Sequence, residues 1–461
     1  MSTIHVRHRR RIMMSTAVIG VALSLSLAAC STSGPGQSST NQNKTGTNQL
    51  ATPSQIATAL QKPTTLTMWG WAQQDAPLIA AFEKAYPKIT VNLQNEGSSG
   101  TEYTKLQNVI KAGSGVPDVA QIEYSALPNF VLSKSLVNLS QYGQDANKSK
   151  FSTASWTDVT VGGSVYAVPQ DSGPLEMFYR PDVFNKLGLS IPKTWNEYIA
   201  DAKKIHAADP NDYIAADAGD ANTADSMIWQ AGGRPYSTSG TKVSINLEDQ
   251  GTKKFSAMWD QLISQGLIDT KTAAFTPDWF TGLADGKYAT YIAGGWGSGS
   301  LINHVPTATG EWRAALVPQY SAGDHANGED GGSTTAVLGA SSHKLAAIGF
   351  AQWFSQDKEA NQLWVADGAT PSMTGVLTSS AWLNQKVPYF GGQQIYKVFA
   401  QASKDVSPGW QFLPFQVYAN SIFADTVGQA YATHGNLQKG LTAWGTEVKK
   451  YGAAQGFTIA K

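Results

Sequence analysis

The 461-residue chain contains one cysteine, so it can form no internal disulfide and no multi-cysteine zinc cluster. It also lacks a charge bias, with 34 basic side chains against 34 acidic ones. A nucleic-acid binder needs a basic excess to neutralise phosphates, and this composition supplies none. The seven histidines, at 5, 8, 206, 304, 325, 343 and 434, make no His-x-His or His-Glu-x-x-His pattern, so no metal site is expected. There is no Gly-x-Ser-x-Gly elbow of the lipase type. Beyond the N-terminus no apolar run is long enough for a membrane span, and no internal repeat suggests a solenoid. What is abundant is aromatic: 14 Trp, 17 Tyr and 16 Phe, many of which are expected to pack the core, with some left for a ligand.

The N-terminus reads as an address and an anchor. Residues 7–11 are RHRRR, residues 12–27 are apolar or small without charge, and the run ends Leu27-Ala28-Ala29-Cys30. Basic, apolar, cleavage site is the order of a signal peptide. Small residues before a cysteine resemble the bacterial lipobox, which makes Cys30 the expected lipidation site and residues 1–29 the removed leader. Loss of the four leader arginines would leave 30 basic against 34 acidic residues. Residues 31–49 are Ser, Thr, Gly, Gln, Asn and Pro with one lysine, a composition that buries no surface, so residues 30–63 are expected to be lipidated cysteine and flexible linker. Lipid, tether and body together place the protein in the cell envelope, on the outer face of the cytoplasmic membrane.

The body begins with alternating apolar residues at 64–71, then a helix opened by Asp75 with Leu78, Ile79 and Phe82 on one face. A second strand at 89–93, a helix carrying Tyr103, Leu106 and Ile110 and stopped by Gly113, and a third strand at 116–122 complete a β-α-β-α-β unit. That order implies an α/β fold with a parallel sheet, whose ligand sites lie beyond the strands' carboxyl ends, here 70–75 and 123–126. Thr194-Trp-Asn-Glu197 is a helix capping box. A strand at 288–293 enters a glycine-rich turn at 294–299. Its glycines have neither dinucleotide-loop spacing nor a P-loop lysine. The acidic stretch 324–330 (DHANGED) lacks calcium-loop spacing and reads as a solvated loop.

Several blocks together resemble the family 1 extracellular solute-binding proteins of ABC importers, of which the maltose-binding proteins are familiar members. They are 66–71 (LTMWGW), 82–91 (FEKAYPKITV), 115–119 (GVPDV), 166–171 (YAVPQD), 177–184 (MFYRPDVF), 192–198 (PKTWNEY), 286–296 (GKYATYIAGGW) and 366–372 (ADGATPS). Each is weak alone, but their order and distances are specific. The resemblance implies a two-lobed periplasmic-binding-protein-like fold with a ligand cleft between lobes joined by crossing hinge segments. Lobe one would be 64–170 with 331–375, and lobe two 171–330 with 376–461. It implies a monomer that binds a carbohydrate by lobe closure and delivers it to ABC transporter permease subunits, with no cofactor, metal or nucleic acid.

A sugar ring needs an aromatic platform for its C–H face and hydrogen-bonding groups for its hydroxyls. Trp296 matches the family's platform position, although core packing competes for that ring. Trp71 and Gln73 follow the first strand, beside Asp75, which also suits a helix cap. Glu123 and Tyr124 follow the third strand at its crevice end. Asp171 sits where the family has an acid on the crossing segment. Trp229 lies beside two glycines, with helix packing as the alternative, and Gly332 and Ser333 can offer backbone N–H groups. Trp410 is a further candidate outside any clear family pattern. Trp259, Trp353, Trp364 and Trp444 lie on helical apolar stripes and read as core. The candidate loops at 70–75, 123–126 and 294–300 hold no lysine or arginine, which favours a neutral mono- or oligosaccharide over an anion. Two other readings stay open: a surface glycan-degrading lipoprotein enzyme using a carboxylate pair such as Asp171 with Glu123, and the same binding fold with a polyamine, osmolyte or peptide held by cation–π contact.

Overall fold

A computed structural model of the protein describes residues 49–366 and 368–460. The expected leader, the expected lipidation site Cys30 and the expected linker up to residue 48 lie outside the described residues. The expected linker is shorter than 30–63, because Pro53–Ala59 is a helix. Thr52 and Gln55 form a capping box there with Pro53 in the first turn, and Ile56 and Leu60, both 5% exposed, join a core.

Ten strands position the site. They are β1 (Thr64–Trp69), β2 (Ile89–Gln94), β3 (Val119–Glu123), β4 (Ala167–Pro169), β5 (Asp171–Ser172), β6 (Leu175–Tyr179), β7 (Thr290–Gly294), β8 (Arg313–Leu316), β9 (Ser333–Val337) and β10 (Thr370–Pro371). One sheet runs β2-β1-β3-β9-β4, with β1 parallel to β2 and β3, and β9 antiparallel to β3 and β4. The expected βαβαβ unit is therefore present, closed by a strand that arrives from some 200 residues later. Its third strand begins at Val119, later than the predicted 116. Pro117 has no N–H for a ladder, and the Asp118 carboxylate is occupied in accepting from Thr67 N at 2.9 Å. A second, antiparallel sheet runs β7-β6-β8.

The cores follow the sheets. Leu66, Met68, Phe82, Leu106, Phe130 and Phe350 belong to one apolar cluster around the first sheet. A second gathers Trp195, Tyr198, Phe255, Trp259, Leu441 and Trp444, and a third Phe178, Trp279, Tyr288, Trp312 and Phe390. Burial of each such ring or aliphatic side chain contributes about 1.5–3 kcal/mol. Trp259, Trp353, Trp364 and Trp444 are all buried, as their spacing predicts. The Thr194–Glu197 capping box opens the helix Trp195–Ala208. The glycines at 294–299 do more than turn: Gly297–His304 is a helix, and a Cβ on Gly297 would sit 2.9 Å from the Phe178 ring. Glycine there lets the helix seat directly on β6.

The chain leaves the first sheet at β4, passes through β5 and enters the second sheet at β6. It returns ahead of β9, and passes again at β10, which pairs antiparallel with β5 (Asp171 with Pro371, Ser172 with Thr370). An isolated bridge between Pro174 and Glu329 adds the returning segment to the same bundle. The stretch read as a solvated loop divides in two. Asp324 and His325 are exposed, whereas Asn327, Glu329 and Asp330 are 2%, 7% and 7% exposed. That correction follows from topology, since the acids sit on a passage between the two sheets rather than at a loop tip.

Candidate functional site

The loop after β1 is fixed by one side chain. Gln121 of β3 accepts from the N–H groups of Trp71 (3.0 Å) and Ala72 (3.2 Å) and donates through Nε2 to Ser333 Oγ at 3.1 Å. The half-buried Trp71 ring meets Tyr103 edge-on at 6.1 Å. The Tyr103 hydroxyl donates to Glu123 Oε2 at 2.9 Å, and Ser99 Oγ donates to the same oxygen at 2.9 Å. Burial raises the Glu123 carboxyl above its ordinary range, these two hydrogen bonds oppose that rise, and Asp220 across the cleft reinforces it. Gln73, exposed, reaches a residue of the other wall: its Nε2 lies 3.4 Å from His304 Nε2.

Four of the predicted residues form a knot where the crossing segments meet. Tyr124, 1% exposed, donates its hydroxyl to the carbonyl of Asp171 at 2.7 Å. Ser333 N donates to Asp171 Oδ1 at 2.7 Å, and Gln170 N donates to the Ser333 carbonyl at 2.9 Å. Gly332 has φ +81°, and a Cβ there would come within 2.6 Å of the Tyr124 ring. These contacts give Tyr124, Asp171, Gly332 and Ser333 a shared task in joining the lobes.

On the opposite wall, half-buried Trp296 precedes the helix Gly297–His304 and donates Nε1–H to the carbonyl of Asp330 at 2.7 Å. Its indole is thereby tied to the second crossing segment, which fixes the ring's tilt. Trp229 and Trp410 stack on each other at 5.2 Å with planes 4° apart. Trp229 donates to the Ser407 carbonyl at 2.6 Å and supports Trp410, the ring that reaches the cavity between the walls. That cavity is lined by Ser125 from one wall, Asn222, Asp225, Ser226, Trp410 and Phe412 from the other, and Glu329 and Gly331 from the crossing. Its centre has room for about one water molecule, so a sugar requires the walls to part.

The lining contains acids and no lysine or arginine. Burial pushes the Asp225 carboxyl up to about 8, against hydrogen bonds from Tyr236 (3.0 Å) and Gln416 (2.9 Å). Glu329 and Asp330 are raised well above the carboxylate range, first by burial and then by neighbouring acids. A buried carboxyl that keeps its proton both donates and accepts, which suits a hydroxyl-rich neutral ligand. Among the described residues, no group of three or more His, Cys, Asp or Glu side chains is placed to hold a metal ion. Sequence reasoning missed Asn222, Asp225 and Glu329. Asp225 lies inside a helix and Glu329 inside a polar stretch, and only the pairing of passages brings them to one cavity.

The signature of the bacterial extracellular solute-binding proteins matches residues 72–361. The chain belongs to this family. Among curated relatives, the arabinooligosaccharide-binding protein of Bacillus subtilis (strain 168) is 24% identical over 359 residues, covering 75% of this chain and 82% of the relative. The lactose-binding protein of Rhizobium radiobacter is 25% identical over 349 residues, covering 73% and 81%. Among solved structures, the ABC transporter-associated binding protein of B. animalis subsp. lactis in complex with β-1,6-galactobiose is 40% identical with TM-score 0.82, covering 86% of this chain and 99% of that one. The galacto-N-biose/lacto-N-biose I-binding protein of Bifidobacterium longum, in complex with lacto-N-biose, is 27% identical with TM-score 0.74, covering 86% and 98%. Family and architecture agree on a two-lobed α/β solute-binding protein that acts outside the cytoplasm. No helix of the described residues is long and apolar enough to cross a membrane.

Proposed function

We propose that the protein captures a neutral oligosaccharide, of the β-galactobiose class, by lobe closure and delivers it to the permease subunits of an ABC importer. The observation that carries this is a cavity between two walls that is lined by Asp225, Glu329 and Trp410 and by no basic side chain. A relative 40% identical across 99% of its length, solved with β-1,6-galactobiose, supports the ligand class. Phosphorylated or sulfated sugars would meet no counter-charge there.

In this reading the three passages at β5, at 327–332 and at β10 are the hinge. Lobe one is 64–170 with 331–375, preceded by the helix Pro53–Ala59, and lobe two is 171–330 with 376–461. The three apolar clusters support that division. The protein works as a monomer without cofactor or chemistry, held on the outer face of the membrane by a lipid on Cys30, with residues 31–48 as tether.

Thermal unfolding against β-1,6-galactobiose, lactose, an arabino-oligosaccharide, putrescine and amino acids tests the reading. A ligand at 100 times its Kd adds about 2.7 kcal/mol to the folded state. A shift with a galactoside and recovery of the sugar intact by mass spectrometry support it. A shift with the amine alone, or cleavage of the sugar, rejects it.

A further inference from the structure

We propose that Phe275, continued by Phe280 and His304, is an outer subsite for a third sugar ring, so that the protein holds chains longer than a disaccharide. The proposal rests on the oligosaccharide reading above and extends it past Trp296.

Phe275 is 57% exposed, and no other aromatic ring stands among the exposed large hydrophobic residues of the described chain. Its backbone is unusual as well. At φ +64° it lies in the left-handed region that a bulky side chain rarely occupies. Such conformations persist where the surroundings dictate them, and they gather at ligand sites. Here the effect is to hold the ring against the platform. Its centroid is 6.0 Å from Trp296, tilted by 38°, and 5.4 Å from Trp279.

The aromatic surface then continues outward. Phe275 lies 6.5 Å from Phe280, and Phe280 stacks on His304 at 4.7 Å and 29°. His304 is the residue that Gln73 meets from the other wall at 3.4 Å. The row therefore runs from Trp296 to the place where the lobes touch. Rings along it suit the apolar faces of successive sugars, and the imidazole and carboxamide at its end suit hydroxyls. A chain whose two inner rings lie on Trp296 and toward the cavity would place its third ring outward on this row.

The test is calorimetric titration of the protein and of Phe275→Ala with a β-linked galacto-disaccharide and with the trisaccharide that extends it. The unsubstituted protein is expected to bind the trisaccharide several-fold tighter. Phe275→Ala should lose five- to tenfold in trisaccharide affinity and less than twofold for the disaccharide. Phe275→Gly, which suits a φ of +64°, serves as a folded variant and should show the same selective loss. Equal losses for both sugars, no loss for either, or no preference for the trisaccharide in the unsubstituted protein would each overturn the subsite while leaving the oligosaccharide reading in place. Failure of the unsubstituted protein to bind either sugar would overturn that reading and the subsite with it.

Discussion

The backbone N–H of Ser333 donates to Asp171 Oδ1 at 2.7 Å, joining two passages that lie 162 residues apart in the chain. The same Asp171 accepts the Tyr124 hydroxyl on its carbonyl. One residue thus ties the first passage both to the returning passage and to lobe one. Removing the carboxylate in Asp171→Ala orphans a buried N–H, at a cost of about 1–3 kcal/mol. Chemical denaturation should show that loss, and ligand affinity should fall with it as the closed form is disfavoured. Asp171→Asn keeps an acceptor at the same place and should restore most of the stability. If Asn restores stability but not affinity, the carboxylate also touches the ligand.

Gly332→Ala should destabilise by about 1–3 kcal/mol in urea unfolding, because the new Cβ meets the Tyr124 ring in a backbone region closed to alanine. Tyr124 has little freedom to move away while its hydroxyl is bound to Asp171. Tyr124→Phe in the Gly332→Ala background frees the ring from that bond and should recover part of the loss. A Gly332→Ala protein as stable as the original would show that the ring yields easily and the knot is soft.

The βαβαβ start, the capping box at Thr194 and the closing helix with Trp444 were legible because each is a local pattern of apolar spacing and caps. Trp71, Gln73 and Glu123 were proposed by a rule of the same kind, that parallel strands present ligand sites at their carboxyl ends, whereas Trp296, whose strand lies in the antiparallel sheet, was proposed from the family resemblance. Glu329 and Asp330 were not legible, since residues 324–330 have a loop's composition and their burial depends on pairing with Gly173 and Pro174, some 150 residues earlier. Trp229 and Trp410 carry the same lesson. Local sequence marks each as a spare aromatic, and only their stacking shows that one backs the other.

Stability should fall as pH rises from about 4 to 8. Burial pushes the Glu102 carboxyl from 4.5 to about 8, with Asp75, Glu96 and Glu123 adding to the rise, and Asp225 reaches about 8 through burial. Asp158, beside Glu329, is raised in the same direction. The folded state therefore keeps protons that the unfolded chain releases in this window, and each released proton favours unfolding as pH increases. Above about 8 the contribution of Glu102 and Asp225 levels off. Melting midpoints from pH 5 to 9 check this, and Glu102→Gln should flatten the curve. A midpoint that climbs over the same range would contradict the raised carboxyls.

Trp296 separates packing from ligand contact. Its Nε1–H is bound to the Asp330 carbonyl, so Trp296→Phe loses one hydrogen bond of about 1 kcal/mol while keeping an aromatic face. Trp296→Ala loses the face as well. If the ring is the sugar platform, affinity should drop modestly in Phe and more than tenfold in Ala, with fluorescence quenching by sugar abolished in both. If the ring only braces the second passage, Phe and Ala should lower the melting midpoint of the sugar-free protein and leave the galactoside affinity, corrected for that loss, unchanged. The contrast matters because Trp410, backed by Trp229, is the indole that lines the cavity. Unchanged affinity in Trp296→Ala together with a large loss in Trp410→Ala would move the platform from the first indole to the second.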